Sequence, residues 1–135
     1  MEKTYIMLKP DAVRRNLVGN IISRIENKGY KISKMKMFNL NEEVLKEHYA
    51  HLIDKPFFPE LTSFMTSGPV VGMIVEGDGV ILGMRNLMGP TKCEEAMPGT
   101  IRGDYAYSTT ENLIHGSDSK ETAEEELKRF ETFLD

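Results

Sequence analysis

Val70-Val71-Gly72-Met73-Ile74-Val75 carries no polar side chain. A strand with one wet face alternates apolar and polar residues, so a continuous apolar run of this length reads as a central strand covered on both faces. Working outward from it, Leu61, Phe64 and Met65 form one face of a preceding helix that stops at Gly68. Val80, Met84, Leu87 and Met88 form the stripe of a following helix, ended by Gly89. Towards the N-terminus, Tyr5-Ile6-Met7-Leu8 is a strand ended by Pro10, and Asp11 is placed to cap the next helix. Val18, Ile21, Ile22 and Ile25 recur at helical spacing up to Gly29. Residues 31–39 read as a strand in which Ile32 is out of phase with Met35 and Met37, so a bulge is expected near Ser33. Asn41 caps a helix running through Tyr49. Beyond Gly89, residues 90–112 have little apolar periodicity, and a long irregular loop of this kind is usually functional. Leu113-Ile114-His115 is a short strand, Asp118 and Glu121 read as a capping box, and Ala123, Leu127, Phe130 and Leu134 give the last helix its buried face.

The order β-α-β-α-α-β-α-loop-β-α suits an α+β sandwich: a four-stranded antiparallel sheet with helices on one face. The 135 residues suit one compact domain, residues 1–135. Apolar residues are 40% and charged residues 28%, an ordinary globular balance. No apolar run approaches the roughly 20 residues a membrane helix needs. The N-terminal residues lack a secretory pattern, and the single cysteine, Cys93, has no internal partner, so a cytoplasmic setting is expected. Net charge is −4, unevenly spread: residues 1–36 hold nine Lys/Arg against three Asp/Glu, and residues 121–135 hold six acids against two bases. The basic residues are dispersed, as on solvated faces, and nucleic acid is not an expected partner.

Phosphate-loop, dinucleotide and zinc-protease motifs are all absent, and Cys93 with three separated histidines makes no zinc set. His48 and His51 read as surface or half-buried residues. His115 stands apart. It ends an apolar strand and precedes Gly116-Ser117-Asp118, a turn into a helix whose N-terminus attracts phosphate. Neutral imidazole is nucleophilic near pH 7, and Gly116 would leave the ring open. A strand-end histidine can equally well do no more than bond a backbone carbonyl. Arg85, Thr91 and Arg102 offer two guanidinium forks and a hydroxyl, a set suited to polyphosphate, or else to surface ion pairs. Lys9 adds a strand-end cation. In Lys55-Pro56-Phe57-Phe58-Pro59 one phenylalanine should enter the core; the other is either a stacking plate for a base or a second core residue.

Taken together, these segments resemble the nucleoside diphosphate kinase family from about Thr4 to Phe133. The resemblance rests on Ile6-Met7-Leu8-Lys9-Pro10-Asp11, Glu47-His48-Tyr49, Pro56-Phe57-Phe58-Pro59, Met65-Thr66-Ser67-Gly68-Pro69-Val70, Pro98-Gly99-Thr100-Ile101-Arg102-Gly103-Asp104 and, most specifically, Asn112-Leu113-Ile114-His115-Gly116-Ser117-Asp118-Ser119. It implies a ferredoxin-like fold and a ping-pong transfer of the γ-phosphoryl from a nucleoside triphosphate to a diphosphate through phosphohistidine at His115. By the same resemblance, Lys9, Arg85, Thr91 and Arg102 hold phosphates, Tyr49 sits beside His115, and Asn112 and Lys9 meet the sugar hydroxyls. Phe57 stacks on the base, with Leu61 near it. Ser117 and Glu126 support the site, Glu126 by fixing the imidazole tautomer. Mg²⁺ would arrive on the nucleotide, held mainly by phosphates and water and near Asp118. The assembly implied is a homo-oligomer, commonly a hexamer, otherwise a tetramer or dimer. Thr109-Thr110-Glu111 and Lys92-Cys93 depart from the usual pattern; the first makes one wall of the base slot more polar and reverses a charge. Two other classes compete: a nucleic-acid module, disfavoured by the missing aromatic pair on residues 31–39, and a relative that has lost catalysis, disfavoured because every catalytic position is filled.

Overall fold

A computed structural model describes residues Met1–Asp135. Four strands, β1 (Glu2–Leu8), β2 (Lys31–Phe38), β3 (Val70–Gly77) and β4 (Ile114–Gly116), form one sheet in the order β2-β3-β1-β4. Every neighbouring pair is antiparallel, with Tyr5 opposite Ile74, Met7 opposite His115 and Met35 opposite Met73. The helices are α1 (Pro10–Arg14), α2 (Val18–Asn27), α3 (Glu42–His48), α4 (Phe58–Met65), α5 (Val80–Met88), α6 (Ile101–Tyr105), α7 (Lys120–Arg129) and α8 (Glu131–Leu134). This is the α+β sandwich expected from the element order, in the ferredoxin-like form that the resemblance implied.

One expectation is corrected: helices cover both faces of the sheet. On one face Ile6, Leu8, Val71, Met73 and Val75 pack with Ile21 and Ile25 of α2 and with Val80, Met84 and Met88 of α5. On the other, Tyr5, Met7 and Val70 pack with Val44 and Leu45 of α3, Met65 of α4, Phe130 and Leu134. Each large side chain fully buried this way contributes about 1.5–3 kcal/mol, so neither face of β1 or β3 tolerates a polar run. Gly72 sits in the middle of β3 because the second face is crowded there. A Cβ would lie 2.7 Å from the Tyr5 hydroxyl and 2.8 Å from the Phe38 ring.

The bulge falls between Ile32 and Lys34, as the phase break predicted. Its effect is to put Ile32, Met35 and Met37 opposite Val75, Met73 and Val71, all on one side of the sheet. The region 90–112 is less irregular than its composition suggests. It holds a 3-10 turn at Cys93–Glu95 and the helix α6, whose N-cap Thr100 accepts from the Gly103 amide at 2.9 Å. Arg24 of α2 pins α6 through Asp104 at 2.7 Å and lies over the Tyr105 ring.

Two caps differ from expectation. Asp11 lies inside the first turn of α1, where it does not cap: Lys9 is the N-cap residue, and the buried Asp11 carboxylate accepts the Leu113 amide at 3.1 Å. At α7 the cap is Ser119, which accepts from the Thr122 amide at 3.1 Å, in place of an Asp118–Glu121 box. The final helix also breaks at Phe130 into α7 and α8. No helix is long and apolar enough to cross a membrane.

Candidate active site

The C-terminal end of β1, the short strand β4 and the chain between α5 and β4 meet at one edge of the sandwich. Two connected cavities open there. The first, about 240 Å³, is lined by Leu52, Phe57, Glu60, Leu61, Thr109 and Thr110. The second, about 310 Å³, is lined by Arg85, Arg102, His115, Asp118 and Glu126 among others. Lys9, Tyr49, Thr91 and Asn112 line both. Every site residue expected from the sequence except Ser117 is therefore on these walls, and Ser117 lies directly behind them.

The local sequence explains how each is held. The short edge strand β4 pairs His115 with Met7 on the central β1, so the backbone that carries the imidazole is fixed by the sheet. Leu113, just before β4, has φ of +77°, a left-handed backbone that is strained for a residue with a side chain. Two hydrogen bonds hold it there: the Lys9 amide donates to its carbonyl at 2.9 Å, and its own amide donates to Asp11. Gly116 is small for a reason other than the one expected. A Cβ would strike the Met88 sulfur at 2.6 Å and approach Ile6, so the glycine serves the core beneath the site instead of opening space around the ring.

His115 places Nε2 2.8 Å from Glu126 Oε1, and the same oxygen accepts the Ser117 hydroxyl at 2.7 Å. An ionised carboxylate can only accept, so Nε2 carries a proton and, in the neutral imidazole, Nδ1 keeps its lone pair. Nδ1 makes no hydrogen bond within the chain, and the ring borders the second cavity. Glu126 itself is buried. It comes from the inward side of α7, beside Ala123, as the apolar stripe suggested.

Cations surround the second cavity. The Arg102 guanidinium is buried and donates to the carbonyls of Asn112, Gly89 and Ile114. Five N–H groups are available to it, so donors remain for a ligand. Burial, followed by the neighbouring Arg85, lowers its pKa to about 10. Arg85 donates to the Gly116 carbonyl at 3.2 Å. Lys9 Nζ donates to Asn112 Oδ1 at 2.8 Å, and burial then Arg102 bring its pKa down to about 8 against the opposing pull of Asp11. Asn112 also donates to the Thr109 carbonyl at 2.8 Å, which ties it to the wall of the first cavity. Burial and the Glu126 charge push the Tyr49 phenol up to about 12, so it stays a neutral donor.

Phe57 is half exposed and Phe58 buried, so only one of the two phenylalanines enters the core. Glu111 reverses a charge but is paired: Arg14 meets it at 2.8 Å. Asp118 is exposed and makes no hydrogen bond or ion pair; it is the one uncommitted carboxylate on the second cavity.

His48 is a correction. Its side chain is only 2% exposed, and its ring lies edge-on to His115 with centroids 4.7 Å apart. Helix α3 ends at His48, so His51 falls in the next turn and faces the second cavity alone. Ligand atoms of His48, His115 and Glu126 lie within 4.8 Å of one another. The Arg129 guanidinium, 2.9 Å from His48 Nδ1, and the His115–Glu126 hydrogen bond make this group a hydrogen-bonded network. Asp11, His48 and Arg129 are the residues that reading the sequence missed. Their burial depends on contacts from distant segments.

The fold and the cavities define a class: a ferredoxin-like sandwich that presents a carboxylate-held histidine to a pocket of guanidinium groups, beside an apolar slot with an exposed aromatic ring. The chain belongs to the nucleoside diphosphate kinase family, whose family profile matches residues 2–132. A nucleoside diphosphate kinase from Exiguobacterium sibiricum is 56% identical over 94% of this chain and 92% of its own length. Among solved structures, the nucleoside diphosphate kinase of Encephalitozoon cuniculi superposes with a TM-score of 0.93 at 46% identity, covering 96% of this chain and 88% of that one. A halophilic nucleoside diphosphate kinase from Halobacterium salinarum, solved in complex with CDP, gives 0.92 at 48% identity, covering 96% and 86%.

Proposed function

We propose that the chain transfers the γ-phosphoryl group of a nucleoside triphosphate to a nucleoside diphosphate through phosphohistidine at His115. The observation that carries this is the Glu126–His115 hydrogen bond, which leaves an unprotonated Nδ1 beside a pocket of cations.

In the first half-reaction the Nδ1 lone pair attacks the γ-phosphorus, the bond from γ-phosphorus to the β–γ bridging oxygen breaks, and the diphosphate leaves with that electron pair. Imidazole gains positive character as the N–P bond forms, and Glu126 stabilises it through Nε2–H while Ser117 steadies the carboxylate. Arg85, Arg102, Lys9 and Thr91 spread the phosphate charge, and the neutral Tyr49 donates beside the transferred group. A second diphosphate then enters and its terminal oxygen takes the phosphoryl group from Nδ1 by the reverse displacement. Phe57 and Leu61 hold the base by stacking and apolar contact, which every base can satisfy. Asn112 and Lys9 meet the sugar hydroxyls.

The donor set fits a nucleotide-borne Mg²⁺. Glu126 is already committed and only Asp118 is free, so phosphates and water would supply most of the oxygens. Bound there, the cation would neutralise phosphate charge and orient the chain of phosphates. A cytoplasmic setting and a homo-oligomeric assembly, a hexamer foremost, complete the proposal, with the whole chain forming one catalytic unit.

The test is incubation with γ-labelled ATP and no acceptor. Acid-labile, base-stable label on the protein is the expected result, released on adding any diphosphate. A folded His115→Ala variant that still accepted label and made triphosphate at the parent rate would overturn the proposal.

A further inference from the structure

Behind the His115–Glu126 pair lies a second imidazole that the transfer chemistry does not use. His48 is buried between α3 and α7, packed against the rings of Tyr49, His115 and Phe130. Its Nδ1 is 2.9 Å from Arg129 Nη1 and 3.9 Å from Glu126 Oε2. Arginine has donors only and does not titrate in the working range, so His48 Nδ1 must be the acceptor. That assigns the His48 proton to Nε2, where no partner is found. Arg129 itself is 14% exposed at its side chain, and its Nε lies 3.6 Å from Glu47 Oε1.

The arrangement matters because Glu126 has two oxygens and two histidine neighbours. Oε1 serves His115 and Ser117. Oε2 faces His48. Were His48 to carry a proton on Nδ1, it would donate to Glu126 and compete with His115 for the same charge. We propose that Arg129 is a positioning residue which, by donating to His48 Nδ1, locks His48 in its neutral Nε2–H form and so reserves Glu126 for His115. This rests on the reading of His115 as the phosphoryl acceptor.

The groups around His48 point the same way. Lys9 after β1, His115 on β4, His51 in the turn after α3 and Arg129 on α7 all oppose a positive charge on His48, and burial opposes it most; its pKa falls to about 2. Glu126 on α7 is the nearby acid that would favour the charge, and Glu47 on α3 reaches Arg129. Tyr49 on α3 and Tyr5 on β1 are neutral phenols whose pKa values are raised by burial. Without the guanidinium, the nearest strong influence on His48 Nδ1 would be the Glu126 carboxylate.

With only three histidines in the chain, their imidazole nitrogens can be followed individually by nitrogen-15 NMR. In the parent protein His48 should show a protonated Nε2 and an unprotonated Nδ1 that do not titrate across about pH 5 to 8. Arg129→Met should move the His48 proton to Nδ1 or make the ring titrate. It should also lower the acid limb of the His115 phosphorylation rate by about one pH unit, because a Glu126 shared with His48 stabilises the His115 cation less. Arg129→Lys, which keeps a cationic donor, should restore part of both. A parent His48 that titrates in this range or is protonated on Nδ1 overturns the proposal, whether or not any variant folds. So does an Arg129→Met protein with unchanged nitrogen shifts and an unchanged acid limb. If the parent takes no label at His115, the reading of that residue falls while the nitrogen shifts still decide the Arg129–His48 assignment.

Discussion

Removing the Glu126 carboxylate tests the catalytic reading most directly. Two substitutions separate its two effects. Glu126→Gln keeps an oxygen that can accept from His115 Nε2–H and from the Ser117 hydroxyl, now at 2.8 and 2.7 Å, but it loses the charge. Glu126→Ala loses both. A hydrogen bond to a charged group is worth about 1.5–3 kcal/mol, roughly twice a neutral one. The bond strengthens as imidazole becomes cationic in the transition state, so most of this energy is felt in the rate. The expected phosphorylation rates are therefore about 10-fold slower for Glu126→Gln and about 100-fold slower for Glu126→Ala. The assay is rapid-quench measurement of label transfer from γ-labelled ATP to the protein in a single turnover, at saturating nucleotide. Nucleotide affinity should change little, since Glu126 is buried behind His115. An Ala variant that is folded and transfers within about twofold of the parent would show that the carboxylate does not support the nucleophile.

Other consequences can be measured independently. Arg102→Met should leave the buried Gly89 and Ile114 carbonyls unpaired, the Asn112 carbonyl keeping the Ile114 amide, and lower stability by about 2–4 kcal/mol, read as a fall in midpoint in urea unfolding, even without nucleotide present. Lys9 in the free protein loses its proton around pH 8, and a bound phosphate holds that proton on; calorimetry in buffers of differing ionisation heat should show up to about one proton taken up on binding above that pH, and affinity falling as pH rises. Lys9→Met should abolish that uptake. Phe57→Ala should raise KM for purine and pyrimidine diphosphates alike by about 10-fold, as expected of stacking, while leaving kcat near the parent value.

The parts of the site that could be read from the chain are those whose meaning is local. The apolar run at Val70–Val75 implied a strand buried on both faces, and the sheet bears this out. That same run argues against the one-sided helix layer assigned to the whole sheet. The phase slip at Ile32 located the bulge because alternation is a property of adjacent residues. His115 was visible through its flanks. Asp11 was misread because N-cap preference is a local rule, whereas its real partner, the Leu113 amide, is 102 positions away. His48 was misread for the same reason. Like His51 it read as surface or half-buried, but Arg129 and Phe130, brought in by the last helix, bury it. Glu126 fell between these cases: the stripe at Ala123 and Phe130 set its direction, and only the packing of α7 on β1 set its reach.

The two cavities share Lys9, Tyr49, Thr91 and Asn112, and nothing on either wall provides a second copy of these groups. On the proposed reaction, incoming and outgoing nucleotides must therefore occupy the same seat in turn. A diphosphate can settle on the protein before His115 carries a phosphoryl group and so block the donor. Excess acceptor becomes an inhibitor, double-reciprocal plots run parallel, and the traffic of the two pools is set by their ratio and not by the amount of either alone.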